Sequence, residues 1–227
     1  MAGGLAPLKR DPSGAQNGRP EMALYGIYEI SKILCSPGNL REILVASLSV
    51  LKSFLDMGNG LVVLFDDAGE PELIVSGSLL SEHATSYLRS LPERVIGQLV
   101  ATEIPVVVAN VGQDTTFRWD TATWGPSDLN YSFIGVPIKD RDRVIGTLTI
   151  DRAWREWVNF PLDEDVRFLK MVANLVGQTV RLHRMVTNDR TRLLEEQGRL
   201  SKLRTELLPE AEHGTPYGRI IGDSGEI

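Results

Sequence analysis

The chain has 227 residues, a net charge of −6 and one cysteine, with 42% hydrophobic and 24% charged residues. That length holds one ordinary domain with extensions, and its acidic balance argues against direct binding to nucleic acid or an anionic membrane. No apolar run reaches the ~20 residues of a bilayer crossing, the N-terminus lacks the apolar core of a secretory signal, and the lone Cys35 excludes an internal disulfide framework and fits a reducing, cytoplasmic setting.

Met1 to Pro20 carries four glycines, three prolines and few large apolar side chains, a composition that predicts a disordered tail. From Glu21 the pattern turns helical. Leu24, Ile27, Tyr28, Ile30 and Leu34 recur at helical spacing until Ser36-Pro37-Gly38 ends the helix. Asn39 can cap a second helix with an apolar stripe of Leu40, Ile43, Leu44, Ser47, Leu48, Leu51 and Leu55. Gly58-Asn59-Gly60 stops it. Leu61 to Phe65 reads as a buried strand, Asp66 to Gly69 as a turn, and Leu73 to Val75 as the returning strand. A loose helix over Leu79 to Leu91 follows, then a short one from Glu93 to Thr102 with Pro92 suited to its first position. Pro105 opens a strand over Val106 to Ala109. Asn110 to Asn130 is a 21-residue stretch holding Gly112, Gly125, Pro126 and three aromatics; a connection that long in a compact domain is usually functional or mobile.

Tyr131 to Arg152, YSFIGVPIKDRDRVIGTLTIDR, reads as a hairpin around a five-residue charged tip, Lys139 to Arg143. Pairing Ile138 with Val144 sets Val136 opposite Gly146, Ile134 opposite Leu148 and Ser132 opposite Ile150. All eight then lie on one largely aliphatic face that suits burial under helices. The other face carries Pro137, Ile145, Gly135, Thr147, Phe133, Thr149, Tyr131 and Asp151. Its centre, Gly135 opposite Thr147, is small. That space suits either a ligand or Phe117, Trp119 or Trp124 from the long stretch.

After Pro161, the acids Asp163, Glu164 and Asp165 suit the first turn of a long helix. Val172, Thr179, Val186, Leu193, Leu200 and Leu207 form one row at seven-residue spacing; Leu175, Leu182 and Leu203 form a second, broken by Asp189 and Glu196. That is a coiled-coil-like seam with a weak middle. The element order predicts an α+β fold: an antiparallel sheet with amphipathic helices on one face and a long C-terminal linker helix. Catalysis and metal binding find little support. Cys35 ends a helix within an apolar stripe, and His83, His183 and His213 are scattered over three segments. No G-x-x-x-x-G-K-[ST] phosphate loop and no helix-turn-helix signature occur.

LYGIYEISKIL, RVIGQLVATEIPVVVANVGQDTTF and SFIGVPIKDRDRVIGTLTIDR together resemble a GAF domain, a small-molecule sensor module, over about Leu24 to Met185. YEISKIL, FIGVPIK, TIDR and EDVRFLKMVANLVGQTVRL are similar, more narrowly, to the N-terminal sensor region of the NifA-type σ54-dependent transcriptional activators and their alternative-nitrogenase relatives. GRIIGDS looks like the opening of the AAA+ domain that follows in such activators, with Gly225 where a proline is usual.

The resemblance implies a GAF-like fold and a division into a tail (1–20), a sensor domain (21–185), a linker helix (186–213) and the start of a truncated AAA+ domain (214–227). It implies a non-enzymatic regulatory module, with ATP hydrolysis, σ54 RNA polymerase contact and DNA binding in the remainder, and NifL or a PII-type signalling protein as partner. Some NifA-type sensors respond to 2-oxoglutarate. A partly buried dicarboxylate needs cations, and arginine forks match carboxylates. Arg118 is therefore the first choice and Arg94 and Arg152 the second, with Trp119, Tyr131, Phe133 and Thr147 lining the pocket. The N-K-x-F signature of cyclic-nucleotide-binding relatives is missing. Val186, Leu193, Leu200, Leu203 and Leu207 are the seam residues for a homo-oligomer. Two alternatives stand beside this reading. One is a ligand-free protein-interaction module of another bacterial enhancer-binding activator. The other is an enzyme on the same fold, which would need several cysteines.

Overall fold

The computed structural model describes residues 18–77, 81–114, 131–153 and 162–207. Its described elements are α1 (Gly18–Leu34), α2 (Leu40–Phe54), β1 (Gly60–Phe65), β2 (Pro71–Ser76), α3 (Ser81–Ser90), α4 (Glu93–Thr102), β3 (Val106–Val108), β4 (Tyr131–Asp140), β5 (Arg143–Ala153) and α5 (Leu162–Leu207). The local signals act where the residue types place them. Asn39 caps α2, its side-chain oxygen accepting from the Arg41 amide at 2.9 Å. Pro92 takes the cap position of α4 rather than the first helical one, with no side-chain cap bond, and Glu103 ends that helix in the left-handed conformation at φ 58°.

The five strands form one antiparallel sheet in the order β2-β1-β5-β4-β3. The middle strand, β5, is hydrogen-bonded to β1 on one side and β4 on the other. The hairpin register differs from the sequence expectation by two residues. Val136 pairs with Leu148, Ile134 with Ile150, Ser132 with Arg152, and Gly135 with Thr149. The strands extend to Asp140 and Arg143, so the tip is a tight turn in which Arg141 adopts φ 55°. A bulge between Ile138 and Lys139 accommodates the extra residue of β5. A shift of two preserves side-chain alternation, so the face assignments hold from Gly146 to Asp151, but Ile145, expected on the second face, is turned by the bulge into the core of the first, with Ile138 and Leu148.

One face carries the larger core. Ile134, Val136, Ile138, Leu148 and Ile150 meet Leu44, Leu48 and Leu51 of α2, Ile30 of α1, and Phe168, Leu169, Val172 and Val176 of α5. The α2 stripe is buried as its spacing predicts, whereas on α1 only Ile30 and Leu34 of the expected stripe are fully buried and Leu24 and Tyr28 are exposed. The opposite face is covered as well, by α3 and α4. Tyr87, Val95 and Ala84 pack there with Leu61, Val63 and Phe133. The compact unit runs to His183. Along α5, every side chain from Met185 to Arg204 is exposed.

Candidate functional site

Alternation along β5 sends Thr147, Thr149 and Asp151 to the face under α3 and α4. They form a polar row down the central strand, only 0%, 1% and 2% exposed. Val63 and Leu61 of β1 flank Thr147 and Thr149; Gly135 and Phe133 of β4 flank Thr149 and Asp151. The small centre of the face is occupied by α4. A Cβ on Gly135 would lie 2.6 Å from a Leu99 methyl and 3.2 Å from the Phe133 ring. Glycine is needed there for space.

Asp151 is the polar anchor of the face. The Asn59 amide donates to its Oδ1 at 2.7 Å, the Asn59 side chain donates to Oδ2 at 3.0 Å, and the buried Tyr87 hydroxyl donates to the same Oδ2 at 2.5 Å. Main-chain bonds reinforce the join: Gly58 N–H to the Asp151 carbonyl at 2.9 Å, and Asp151 N–H to the Asn59 carbonyl at 3.0 Å. Any side chain at Gly58 would place its Cβ 2.7 Å from Asp151 Oδ1. A buried carboxylate is tolerated when such donors replace its water. The Thr147 and Thr149 hydroxyls have no hydrogen-bond partner among the described residues, and buried hydroxyls of that kind are places where a polar ligand atom gains most.

Burial raises the Tyr87 phenol well above its usual value of about 10, and the Asp151 charge and hydrogen bond push the same way. The unfolded chain therefore loses this proton first. The stabilisation is fully present below pH ~10 and is lost as pH rises through the folded-state value. In denaturation series above pH ~10 the parent should lose stability more steeply than Tyr87→Phe; equal slopes would remove Tyr87 from the alkaline transition.

Of the residues singled out from sequence, Tyr131, Phe133 and Thr147 lie on this face, Phe133 and Thr147 fully buried and Tyr131 half-buried. Arg94 is exposed on α4. Arg152 is buried on the opposite face and bonded to Asp165 of α5 at 2.8 Å. Arg118 and Trp119 lie outside the described residues, as do Phe117, Trp124, Trp154 and Trp157. Of the seam residues, Val186, Leu193, Leu200 and Leu203 are exposed on α5, and Leu207 ends the helix. Sequence reasoning missed the Asp151–Tyr87–Asn59 cluster. The available signal was an acid inside a strand otherwise built of Ile, Thr and Leu. Among the described residues no group of His, Cys, Asp or Glu is placed to hold a metal ion.

Comparison with known proteins gives a consistent picture. The family described as GAF domain matches residues 39–180. The Nif-specific regulatory protein of Azorhizobium caulinodans is 45% identical over 90% of this chain and 34% of its own length. That of Bradyrhizobium diazoefficiens is 42% identical over 94% of this chain and 38% of its own. The chain thus spans about a third of the length of these relatives. Among solved structures, the GAF domain of a phosphoenolpyruvate-protein phosphotransferase from Coxiella burnetii superposes with a TM-score of 0.58 at 17% identity, covering 74% of this chain and 98% of that one. At that identity the likeness concerns the fold.

Proposed function

The chain belongs to the GAF domain family, and from that premise we propose that it is the regulatory sensor module of a σ54-dependent activator of nitrogen-fixation genes. The similarity to two Nif-specific regulatory proteins supports the biological setting. The observation that carries the mechanism is α5. This single helix of 46 residues begins in the core, with Phe168, Leu169, Val172 and Val176 buried, and continues with Val186, Leu193 and Leu200 exposed at heptad spacing. A helix whose first half packs under the sensor sheet and whose second half carries a heptad seam can carry a change of state to an attached motor. The seam also suits a homo-oligomer of the full-length protein. Catalysis, ATP hydrolysis, DNA binding and contact with σ54 RNA polymerase belong to the remainder of that protein. Among the described residues no helix is long and apolar enough to cross a membrane, in keeping with a cytoplasmic setting.

The input is a small ligand or a partner protein. On the described part of this face the buried charge is Asp151. Binding of 2-oxoglutarate would therefore rest on Arg118 to offset two more carboxylates. The seating of Leu99 on Gly135 favours the second reading, a module that answers to a protein such as NifL or a PII-type regulator.

The test is a nitrogenase-promoter reporter driven by the full-length activator with and without residues 21–183. Removal is expected to uncouple promoter activity from the nitrogen supply; an unchanged response would sink the proposal. Calorimetry then separates the inputs. Heat with 2-oxoglutarate, absent with glutarate and cyclic nucleotides and lost in Arg118→Ala, selects the ligand. Silence throughout selects the partner protein.

A further inference from the structure

We infer that the consecutive residues Asp151 and Arg152 form a mechanical tie through the sheet, joining α3 on the sensing face to the first turn of α5 on the other. The inference rests on the reading of the α3/α4 face as the input side. Neighbouring residues of a strand point to opposite faces, and these two are the last buried positions of the central strand, at 2% and 4% exposure. Asp151 receives the Tyr87 hydroxyl of α3 at 2.5 Å. Arg152 donates through Nη2 to Asp165 Oδ2 at 2.8 Å, with Asp165 only 12% exposed. Each contact involves a charged group held out of water. Separating Tyr87 would leave the buried Asp151 carboxylate with the Asn59 donors alone, and separating Asp165 would cost the buried Arg152 its ion pair, so partner and strand end travel together.

Two further features favour motion at this point. A cavity of about 260 Å³ opens beside the pair, walled by Arg152, Glu164, Asp165, Phe54 and Phe168. The Asp165 side of the first turn of α5 therefore faces open space, while Leu162 and Val166 keep the turn against the core. Beyond Asp151 the strand has only Arg152 and Ala153 left in the sheet, and Ala153 is exposed. The strand end is paired with Ser132 and Tyr131 of β4 on one side, joined to Gly58 and Asn59 on the other, and gripped on its two faces by the two ties. A displacement of α3 would reach Asp165 through one residue of backbone. Tyr87, Asp151, Arg152 and Asp165 are positioning residues in this scheme, none of them required to touch a ligand.

The experiment is amide hydrogen exchange on the ligand-free chain, comparing the parent with Tyr87→Phe, Asp165→Asn and the double variant. Tyr87→Phe deletes one hydroxyl and keeps the ring. It is expected to speed exchange in residues 84–90 and in residues 162–170 roughly fivefold, as an opening equilibrium that loses one ordinary hydrogen bond would. Asp165→Asn should speed exchange in 162–170, and in the double variant that segment should be no faster than in the faster single. Exchange that rises at α3 with 162–170 unchanged would overturn the tie, as would full additivity in the double variant. Ile96→Ala controls for general loosening: Ile96 packs on the same face and is absent from the Asp151 cluster. It should leave 162–170 at the parental rate, and a rise as large as that of Tyr87→Phe would also overturn the tie. No ligand enters the measurement, so its failure is distinct from failure of the sensor reading, which the promoter reporter decides.

Discussion

Gly177→Val is expected to destabilise the fold by about 3 kcal/mol, the upper part of the range for forcing extra atoms into a packed interface. Gly177 lies in α5 where the helix crosses the end of β4. A Cβ there would collide with the main-chain carbonyl oxygen of Lys139 and stand 3.6 Å from an Ile138 methyl. Carbonyl oxygen belongs to the sheet and cannot rotate away as a side-chain tip can. The helix must therefore lift, and with it Val176 and Val180, which are 2% and 0% exposed. Gly198 provides a control in the same helix. Nothing lies within 4 Å of a Cβ at that position, so Gly198→Ala should strengthen the helix by about 0.5–1 kcal/mol. Urea denaturation followed by far-ultraviolet circular dichroism reads the first change, and thermal loss of helicity along the exposed half of α5 reads the second. A Gly177→Val midpoint within error of the parent would refute the close approach of helix and sheet.

The second large effect is expected at Asp151. Asp151→Ala removes the acceptor for the Asn59 amide, the Asn59 side chain and the Tyr87 hydroxyl, which donate at 2.7, 3.0 and 2.5 Å. Donors buried without partners cost about 1–3 kcal/mol each. Local relaxation and water entry recover part of that, and a net loss of about 3 kcal/mol is expected. Asp151→Asn keeps the shape and one acceptor oxygen and should lose roughly half as much. The decisive comparison is a cycle. Tyr87→Phe should cost clearly less on the Asp151→Ala background than on the parent, because its bond is already gone. Equal costs on both backgrounds would place the Tyr87 contribution in its ring rather than in its hydroxyl.

These two positions show what holds the sensing unit together. Gly177 lets α5 lie against backbone, with no soft side chain between helix and sheet at that point. Asp151 joins the start of β1, the end of β5 and α3 in one polar cluster at the end of the buried threonine row. Buried polar clusters whose groups are bonded are rigid and specific.

Much of the architecture was legible along the chain. Asn39 caps α2, the Ser36-Pro37-Gly38 break follows α1, and the strands begin and end within two residues of their apolar runs. The hairpin faces were legible from Gly146 to Asp151 even though the pairing was two residues off, because alternation is unchanged by a shift of two; the bulge near the tip, which no local pattern signals, turned Ile145 to the other face. The covering of the second face was less legible. The α3 segment has a weak apolar pattern, and the residue that fills the centre of the face, Leu99, is 36 positions from Gly135.

The sequence by itself determined the periodicities. Two amphipathic helices, an alternating hairpin and a seven-residue seam follow from the spacing of apolar residues, which each segment carries within its own few turns or strand repeats. Only the tertiary structure decided which residues meet. Tyr87 reaches Asp151 across 64 positions and Asn59 across 92, and Arg152 turns to Asp165 on the α5 face and away from the face under α3 and α4. Such pairings depend on how layers stack and on which donors lose their water together, and no local pattern encodes that choice.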